Sequence, residues 1–333
     1  DFIAAAPLAG RGCAVGRRPR LRLHLAGAAE PGEFTKRALI AGKLDLAQVE
    51  ALADLIDAET SQQRKQALGQ LEGRLSSLAE GWRRRLISIL APLEADIDFP
   101  DEGDVPAAVA ARAGPEIDAL VAELKSYLAG AGRARRLREG VSIAIIGAPN
   151  AGKSSLMNAL AGADVAIVSE TAGTTRDVIE ARLDLGGVPV LVSDTAGLRG
   201  EAGDAVEAEG MRRALARAEA ADMRILVIDP LTDEMKSGPP VSRETSLAVG
   251  PGDIVVWSKR DVGGAAGAAP EGVMSFHVSA ATGDGLDQLV EALTKAAADL
   301  AGGSEAAALT RLRHVEAVRA AVDALERARE RVA

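Results

Sequence analysis

The segment Gly-Ala-Pro-Asn-Ala-Gly-Lys-Ser-Ser at residues 147–155 constrains the fold of this chain more than any other feature. It follows an apolar run at residues 141–146 and has the Gly-x-x-x-x-Gly-Lys-Ser spacing of a Walker A phosphate loop. Its glycines let the backbone curl so that N–H groups and the amino end of the next helix face phosphates. The segment predicts a strand, a phosphate loop and a helix; the alternative is a glycine-rich turn that matches by chance.

Individual residues of this loop have separate predicted roles toward a nucleoside triphosphate. Lys153 would reach the β and γ phosphates, and the Ser154 hydroxyl would hold Mg²⁺. The predicted nucleotide contacts within the loop are Asn150, Ala151, Gly152, Lys153, Ser154 and Ser155.

Four later segments follow in the order and rough spacing of GTPase motifs: Gly-Thr-Thr-Arg-Asp at 173–177, Asp-Thr-Ala-Gly at 194–197, Ser-Lys-Arg-Asp at 258–261 and Ser-Ala-Ala at 279–281. Asp194 would act on Mg²⁺ through water, and Thr175 would close the other side of the ion. Asp261 would select guanine, because a carboxylate accepts from both N1–H and the amino group, whereas adenine offers no such donor pair. We therefore expect GTP. The predicted contacts here are Thr174, Thr175, Asp194, Thr195, Ala196, Gly197, Ser258, Lys259, Asp261, Ser279, Ala280 and Ala281.

Ser258 departs from the usual guanine motif, which opens with Asn. An Asn side chain contacts the base and also braces the phosphate loop, whereas the short hydroxyl of Ser258 cannot span both. We expect weaker nucleotide affinity with the guanine preference kept by Asp261. The alternative interpretation of residues 258–261 is an ordinary polar loop after a strand.

Composition bounds the remaining possibilities. The 333 residues suffice for two or three domains, and 47% hydrophobic with 2% aromatic residues implies cores of Ala, Leu, Val and Ile. We expect a soluble protein without membrane contact, because no apolar run approaches about 20 residues and no signal-peptide pattern is present. The lone Cys13 allows no internal disulfide and no cysteine-based metal site, so we expect a cytoplasmic protein. The net charge of −9 leaves RNA contact to the local basic clusters 17–22, 83–85 and 133–138, each of which is otherwise a solvated helix face.

Periodicity along the chain predicts an α/β P-loop GTPase domain inserted in an all-α helical domain. Apolar residues at three- and four-residue steps predict one long amphipathic helix from Leu46 to Leu93, which Pro100 would stop. Strands and helices alternate from Val141 to Leu300, and a helical pattern then resumes. The expected boundaries are a remnant at 1–25, helical domain at 26–138, GTPase domain at 139–302 and helical domain again at 303–333.

The chain resembles the MnmE (TrmE) family of tRNA uridine-modifying GTPases. The resemblance rests on Glu-Pro-Gly-Glu-Phe-Thr-Lys-Arg-Ala at 30–38, Gly-Lys-Leu-Asp-Leu-Ala-Gln at 42–48, Ala-Asp-Leu-Ile-Asp at 53–57 and Asp-Phe-Pro at 98–100. It covers about residues 26–333. It implies GTP hydrolysis coupled to installing an aminomethyl or carboxymethylaminomethyl group at C5 of a tRNA wobble uridine, with the FAD protein MnmG as partner and a tetrahydrofolate derivative as one-carbon donor.

The same resemblance implies a K⁺-dependent homodimer of GTPase domains in which K⁺ replaces an arginine finger. Carried over by position, Asn150 would ligate K⁺ through its side chain, and Ser169, Thr171 and Thr174 would offer further oxygens. The catalytic glutamate falls on Glu207, which would orient the attacking water. The alternative for Glu207 is an exposed carboxylate that favours a helix start.

Two departures from the family pattern concern the modification reaction. Only about two dozen residues precede the match, where the family has a folate-binding domain, and the chain ends at Ala333 without the family's Cys-Ile-Gly-Lys tail. Lys43 is the one folate-contacting position that carries over, and it is otherwise a solvated lysine. We expect a competent GTPase that lacks parts of the modification enzyme. The alternatives are an Era-like ribosome-assembly or RNA-associated GTPase, which would have a KH-type segment after the GTPase domain, and a non-modifying GTP-binding module.

Overall fold

The structure is a computed structural model that describes residues 29–98, 107–163, 165–167, 180–194, 216–231, 249–263, 269, 271–302 and 308–332. Across these residues, helices before and after a central sheet pack together. None of the helices in these ranges is long and apolar enough to cross a membrane.

The sheet has six strands in the order β2-β3-β1-β4-β5-β6 within the described ranges. Neighbouring strands are parallel except for the antiparallel pair β2 and β3. The strands are β1 Val141–Ile146, β2 Glu180–Leu185, β3 Val188–Asp194, β4 Met223–Ile228, β5 Ile254–Trp257 and β6 Met274–His277. They follow the predicted apolar runs closely; residues 178 and 179, predicted to begin β2, lie outside the described residues.

Both faces of the sheet are covered, which explains why its central strands are continuous apolar runs. One face packs against helices α6 Lys153–Ala161 and α7 Leu286–Ala301, and Leu160, Leu289 and Leu293 are fully buried there. The other face buries Trp257 together with Ala218 from a helical stretch at residues 216–220. This arrangement is the predicted α/β architecture.

Six further helices lie before and after the sheet along the chain, counting those in the described ranges. They are α1 Glu33–Ile40, α2 Leu46–Ile56, α3 Ser61–Leu71, α4 Arg74–Asp98, α5 Ala107–Glu139 and α8 Leu312–Val332. Trp82 of α4, Leu120 of α5 and Val322 of α8 are buried in one cluster. The helical pattern after the sheet therefore completes the core that begins before it, which is the predicted insertion.

The prediction of one long helix from Leu46 to Leu93 is wrong. Three helices occupy this stretch, because a side-chain cap at Thr60 restarts the chain before α3 and Gly73, at φ 87°, interrupts it before α4. Asp45 and Gln48 form a capping box at the start of α2, and Thr60 and Gln63 form another at the start of α3. Apolar residues keep three- and four-residue spacing across these breaks because each helix buries one face, as Ala51 of α2, Ala67 of α3 and Leu75 of α4 show.

Helix α3 touches the sheet at the turn between β2 and β3. The Gln62 side-chain amide donates to the Gly186 carbonyl at 2.9 Å, and the Gln62 backbone N–H donates to the Gly187 carbonyl at 3.4 Å. Arg182 of β2 forms an ion pair with Glu59 at 2.8 Å. At the same end of the sheet, directly before the central strand β4, Asp222 pairs with Arg136 of α5 at 2.6 Å. The helices therefore hold the sheet at two separate places.

Candidate nucleotide site

The phosphate loop leaves β1 at a position that only glycine fits. Gly147 has φ 148°, and a Cβ there would lie 2.3 Å from the Val227 carbonyl oxygen of the neighbouring strand β4. The loop continues through Asn150 at φ 62° and Gly152 at φ 100°, both left-handed. Gly152 then precedes the first residue of α6. The amino end of α6 therefore opens directly onto the loop, which is the geometry that binds anions.

The side chain of Lys153 lies inside this loop. Its ammonium donates to the carbonyl oxygens of Gly147 at 2.6 Å and Ala148 at 2.7 Å, and the residue is 5% exposed. A buried ammonium needs such acceptors, because an unpaired buried charge is costly. The predicted phosphate ligand is thus held at the centre of the loop.

Strand register brings Asp194 next to the loop. Asp194, the last residue of β3, pairs with Ile145 of the adjacent parallel strand β1. Its carboxylate is buried and accepts from the Ser154 hydroxyl at 2.7 Å. Two residues that sequence predicted to serve one Mg²⁺ are therefore in direct contact, and both present oxygen atoms, the ligand type that Mg²⁺ prefers.

A cavity of about 130 Å³ lies between the loop, α6 and the ends of β5 and β6. Asp261 lines it, and its Oδ1 accepts from the Ser279 hydroxyl at 2.6 Å. Ser279 is fully buried and its Oγ also accepts the Thr282 N–H at 3.2 Å, which fixes the hydroxyl. The carboxylate predicted to select guanine is therefore oriented by a buried donor. The cavity is lined by Gly152, Ser155, Leu156, Val256, Ser258, Lys259, Asp261, Val278, Ala280 and Ala281.

Ser258 makes one of the two contacts that an Asn would make in this position. Its hydroxyl lies 2.6 Å from the Ala151 carbonyl of the phosphate loop and 3.1 Å from the Ile228 carbonyl of β4. The residue is 8% exposed. The short side chain keeps the hydrogen bond to the phosphate loop. The expected loss of nucleotide affinity therefore comes from the missing contact with the base.

Asp229 belongs to the same site and was missed by sequence reasoning. It follows β4 directly, at the edge of the sheet where Asp194 and Ser258 also lie. Its Oδ2 accepts from the Lys259 ammonium at 2.6 Å, and its Oδ1 accepts from the Leu231 N–H at 3.0 Å. Burial by itself would raise the pKa of Asp229, but these hydrogen bonds and the Lys259 charge hold it below its ordinary value. An acidic residue directly after a buried parallel strand was the available signal.

Several predicted site residues lie outside the described residues: Ser169, Thr171, Thr174, Thr175, Thr195, Ala196, Gly197 and Glu207. Lys43 is described; it lies exposed between α1 and α2, and its backbone N–H donates to the Ala38 carbonyl at 2.9 Å. A single exposed lysine does not define a folate site.

The sheet order, the phosphate loop and the buried carboxylate beside it define the fold class of a P-loop GTPase. A family model described as the MnmE helical domain matches residues 46–333. The tRNA modification GTPase MnmE of Parvibaculum lavamentivorans is 51% identical over 315 residues, which span 95% of this chain and 68% of that protein. The protein of the same name from Caulobacter vibrioides is 50% identical and covers 90% of this chain and 67% of its own length. The chain belongs to the MnmE family of GTPases.

Among solved structures, an Aquifex aeolicus Era variant bound to GDP and aluminium fluoride matches at 28% identity. The match covers 46% of this chain and 56% of that one, with a TM-score of 0.33.

Proposed function

We propose that this chain binds and hydrolyses GTP in the modification of a tRNA wobble uridine at C5, the role that the names of its relatives indicate in outline. The observation that carries the GTPase part is the joint arrangement of Ser154 with Asp194 and of Asp261 with Ser279. The first pair lies under the phosphate loop and the second lies at the cavity where a base would bind.

Phosphate would bind to Lys153 and to the backbone N–H groups of the loop. Lys153 would exchange the carbonyls of Gly147 and Ala148 for phosphate oxygens, since an anionic oxygen is the stronger acceptor for an ammonium. The α6 amino end would supply backbone N–H groups. Asp261 would accept two hydrogen bonds from guanine while Ser279 keeps its Oδ1 in place.

Mg²⁺ would be held by the Ser154 hydroxyl and, through water, by Asp194, with Thr175 proposed as a further ligand. The oxygen atoms of the first two residues fit the ion. When bound, Mg²⁺ offsets negative charge that develops on the phosphates during transfer.

We propose that Asn150, Ser169, Thr171 and Thr174 hold K⁺, and that Glu207 orients the attacking water. Of these, Asn150 is described: its side chain is exposed at the crest of the phosphate loop. An exposed crest suits a cation that would be enclosed when two GTPase domains pair in a homodimer. A monovalent cation at this position adds positive charge beside the phosphates.

The tRNA, an MnmG-type FAD protein and a tetrahydrofolate derivative are proposed participants in the modification. Lys43, the one position carried over as a folate contact, is exposed between α1 and α2. We also propose that the GTPase domain spans residues 139–302 between helical pieces at 26–138 and 303–333, after a short segment at 1–25. The Era-like alternative is not favoured, since the described residues 308–332 contain the long helix α8 of the helical core.

Single-turnover GTP hydrolysis in K⁺ and in Na⁺ at matched ionic strength tests the proposal. Wild type is expected to be strongly activated by K⁺, and Asn150→Ala is expected to lose that activation while still binding GDP. The matched control is Asn158→Ala, an exposed asparagine on α6, which should behave as wild type. Equal slow rates in both salts for wild type would contradict the K⁺ mechanism, and failure to bind GDP would contradict the proposed function as a whole.

A further inference from the structure

We propose that Asp229 is a positioning residue for the guanine site, and that it acts by holding the Lys259 side chain against the wall of the base cavity and away from Asp261. This inference rests on the proposed guanine-nucleotide function. Lys259 lines the base cavity, and its ammonium is bound by the carboxylate of Asp229.

The position of Asp229 is fixed from two sides. Its two carboxylate oxygens accept from different donors, the Lys259 ammonium at 2.6 Å and the Leu231 N–H at 3.0 Å. Its side chain is 8% exposed, whereas that of Lys259 is 40% exposed. A buried carboxylate held by two donors is therefore the rigid partner, and it orders a long side chain that would otherwise sample many rotamers.

The backbone of Lys259 has an unusual conformation. Its φ of 56° and ψ of 37° are left-handed, a conformation that non-glycine residues rarely adopt. The next two residues lead to Asp261, and Lys259, Ser258 and Asp261 all line the cavity. The apolar stem of Lys259 can therefore cover a base that enters the cavity, provided that the ammonium stays anchored beyond it.

Charge adds a second reason for the anchor. Lys259 and Asp261 are separated by one residue and have opposite charges, so an unanchored ammonium would be attracted to the Asp261 carboxylate. Such a pair would compete with guanine for the same oxygens. In the structure the ammonium contacts Asp229, and Asp261 accepts from Ser279. The two carboxylates thus have separate partners.

A comparable ion pair joins strands β4 and β5 at their other ends, where both strands begin. Asp253, just before β5, binds Arg224 of β4 at 2.7 Å and is 6% exposed at its side chain. It accepts further hydrogen bonds from the N–H groups of Arg224 and Gly250, each at 2.9 Å. This pair joins the same two strands as Asp229 and Lys259 but lies away from the cavity. Its loss reports the effect of removing a buried carboxylate from this part of the sheet.

The test compares Asp229→Ala, Asp229→Asn and Asp253→Ala in the full chain. Titration with a fluorescent GDP analogue measures Kd, and thermal unfolding measures stability. Asp229→Ala is expected to raise Kd about tenfold, the effect of one side chain that must be ordered on binding. Asp229→Asn, which keeps an acceptor without the charge, should have an intermediate Kd. Asp253→Ala should lower thermal stability at least as much while Kd stays within about twofold of wild type.

A second readout does not depend on nucleotide. An amine-reactive reagent, with the modified lysine identified by mass spectrometry, measures the reactivity of Lys259 in the nucleotide-free protein. Without Asp229 the ammonium is no longer held in an ion pair and moves more freely into solvent, so labelling should be several-fold faster. Unchanged labelling, or an equal Kd change in the Asp229 and Asp253 variants, would overturn the inference. Failure of wild type to bind GDP, with faster labelling in Asp229→Ala, would instead refute the guanine function and leave Asp229 as an anchor of Lys259.

Discussion

Replacing Ser258 with alanine measures how much the brace between the guanine motif and the phosphate loop contributes. The Ser258 hydroxyl donates to the Ala151 carbonyl at 2.6 Å and lies 3.1 Å from the Ile228 carbonyl. Ile228 keeps another donor, because it also accepts the Ser258 backbone N–H at 2.8 Å. The change therefore removes a side-chain donor chiefly from Ala151. A net loss of about 1 kcal/mol is expected, which raises the Kd for GDP about fivefold if the loop must be ordered to bind.

Ser258→Asn is the complementary change. The longer amide can reach both the loop and a bound base, so it is expected to tighten GDP binding relative to wild type. Titration with a fluorescent GDP analogue measures both variants. Ser275→Ala, at an exposed serine of β6, is the control for a hydroxyl removed elsewhere on the sheet. A Kd for GDP within twofold of wild type in Ser258→Ala, or weaker binding than wild type in Ser258→Asn, would refute this role of Ser258.

Three further changes probe stability and its dependence on pH. Leu120→Ala removes a fully buried side chain from the helical core and is expected to cost about 2–5 kcal/mol in urea unfolding. Gly187→Ala, at φ 88°, would put a Cβ 2.8 Å from the Ser61 hydroxyl and should lower thermal stability more than Gly283→Ala, at φ 80° with no atom within 4 Å. Burial lowers the pKa of His314, so the unfolded chain binds the proton more readily; urea unfolding at several pH values should show stability falling below about pH 6.5, and less so in His314→Gln.

A specific result would contradict each of these three predictions. A loss below 1 kcal/mol for Leu120→Ala would mean that the helical core is not packed as described. Equal effects of the two glycine changes would mean that α3 does not press on the turn between β2 and β3. The same pH dependence in wild type and His314→Gln would remove His314 as the source of acid sensitivity.

The sheet was largely predictable because local and long-range signals agree there. The apolar runs over 141–146 and 188–193 are buried on both faces, so the run itself marks the strand. The paired glycines Gly186 and Gly187 both have positive φ, as a tight turn between antiparallel strands requires. Sequence could therefore place strands and turn together.

The helical part was less predictable, because apolar spacing records which face is buried and carries little information on where a helix restarts. The break before α3 depends on Thr60 and Gln63, whose reciprocal cap is a local polar signal inside an apolar pattern. The later helices were recognised by their buried faces alone, as with Leu120 in α5.

The candidate site, too, was only partly predictable from the sequence. Lys153, Ser154, Asp194 and Asp261 follow from motif spacing, and the structure brings the first three to one loop. The ion pair of Asp229 depends on two strands being neighbours in the sheet, a relation that spacing along one chain does not contain. Sequence therefore identified the residues with motifs and missed the carboxylate that supports one of them.

The most direct test of a guanine site is a change of base preference in Asp261→Asn. Xanthine has a carbonyl where guanine has its amino group, so an amide that donates at this position should favour xanthine, whereas a carboxylate favours guanine. Ser279 can still donate to Oδ1 of the amide, which keeps the side chain oriented. Competition of GDP, XDP and ADP against a fluorescent nucleotide should give GDP preference in wild type and XDP preference in the variant. Equal binding of ADP by wild type, or retained GDP preference in Asp261→Asn, would contradict the account.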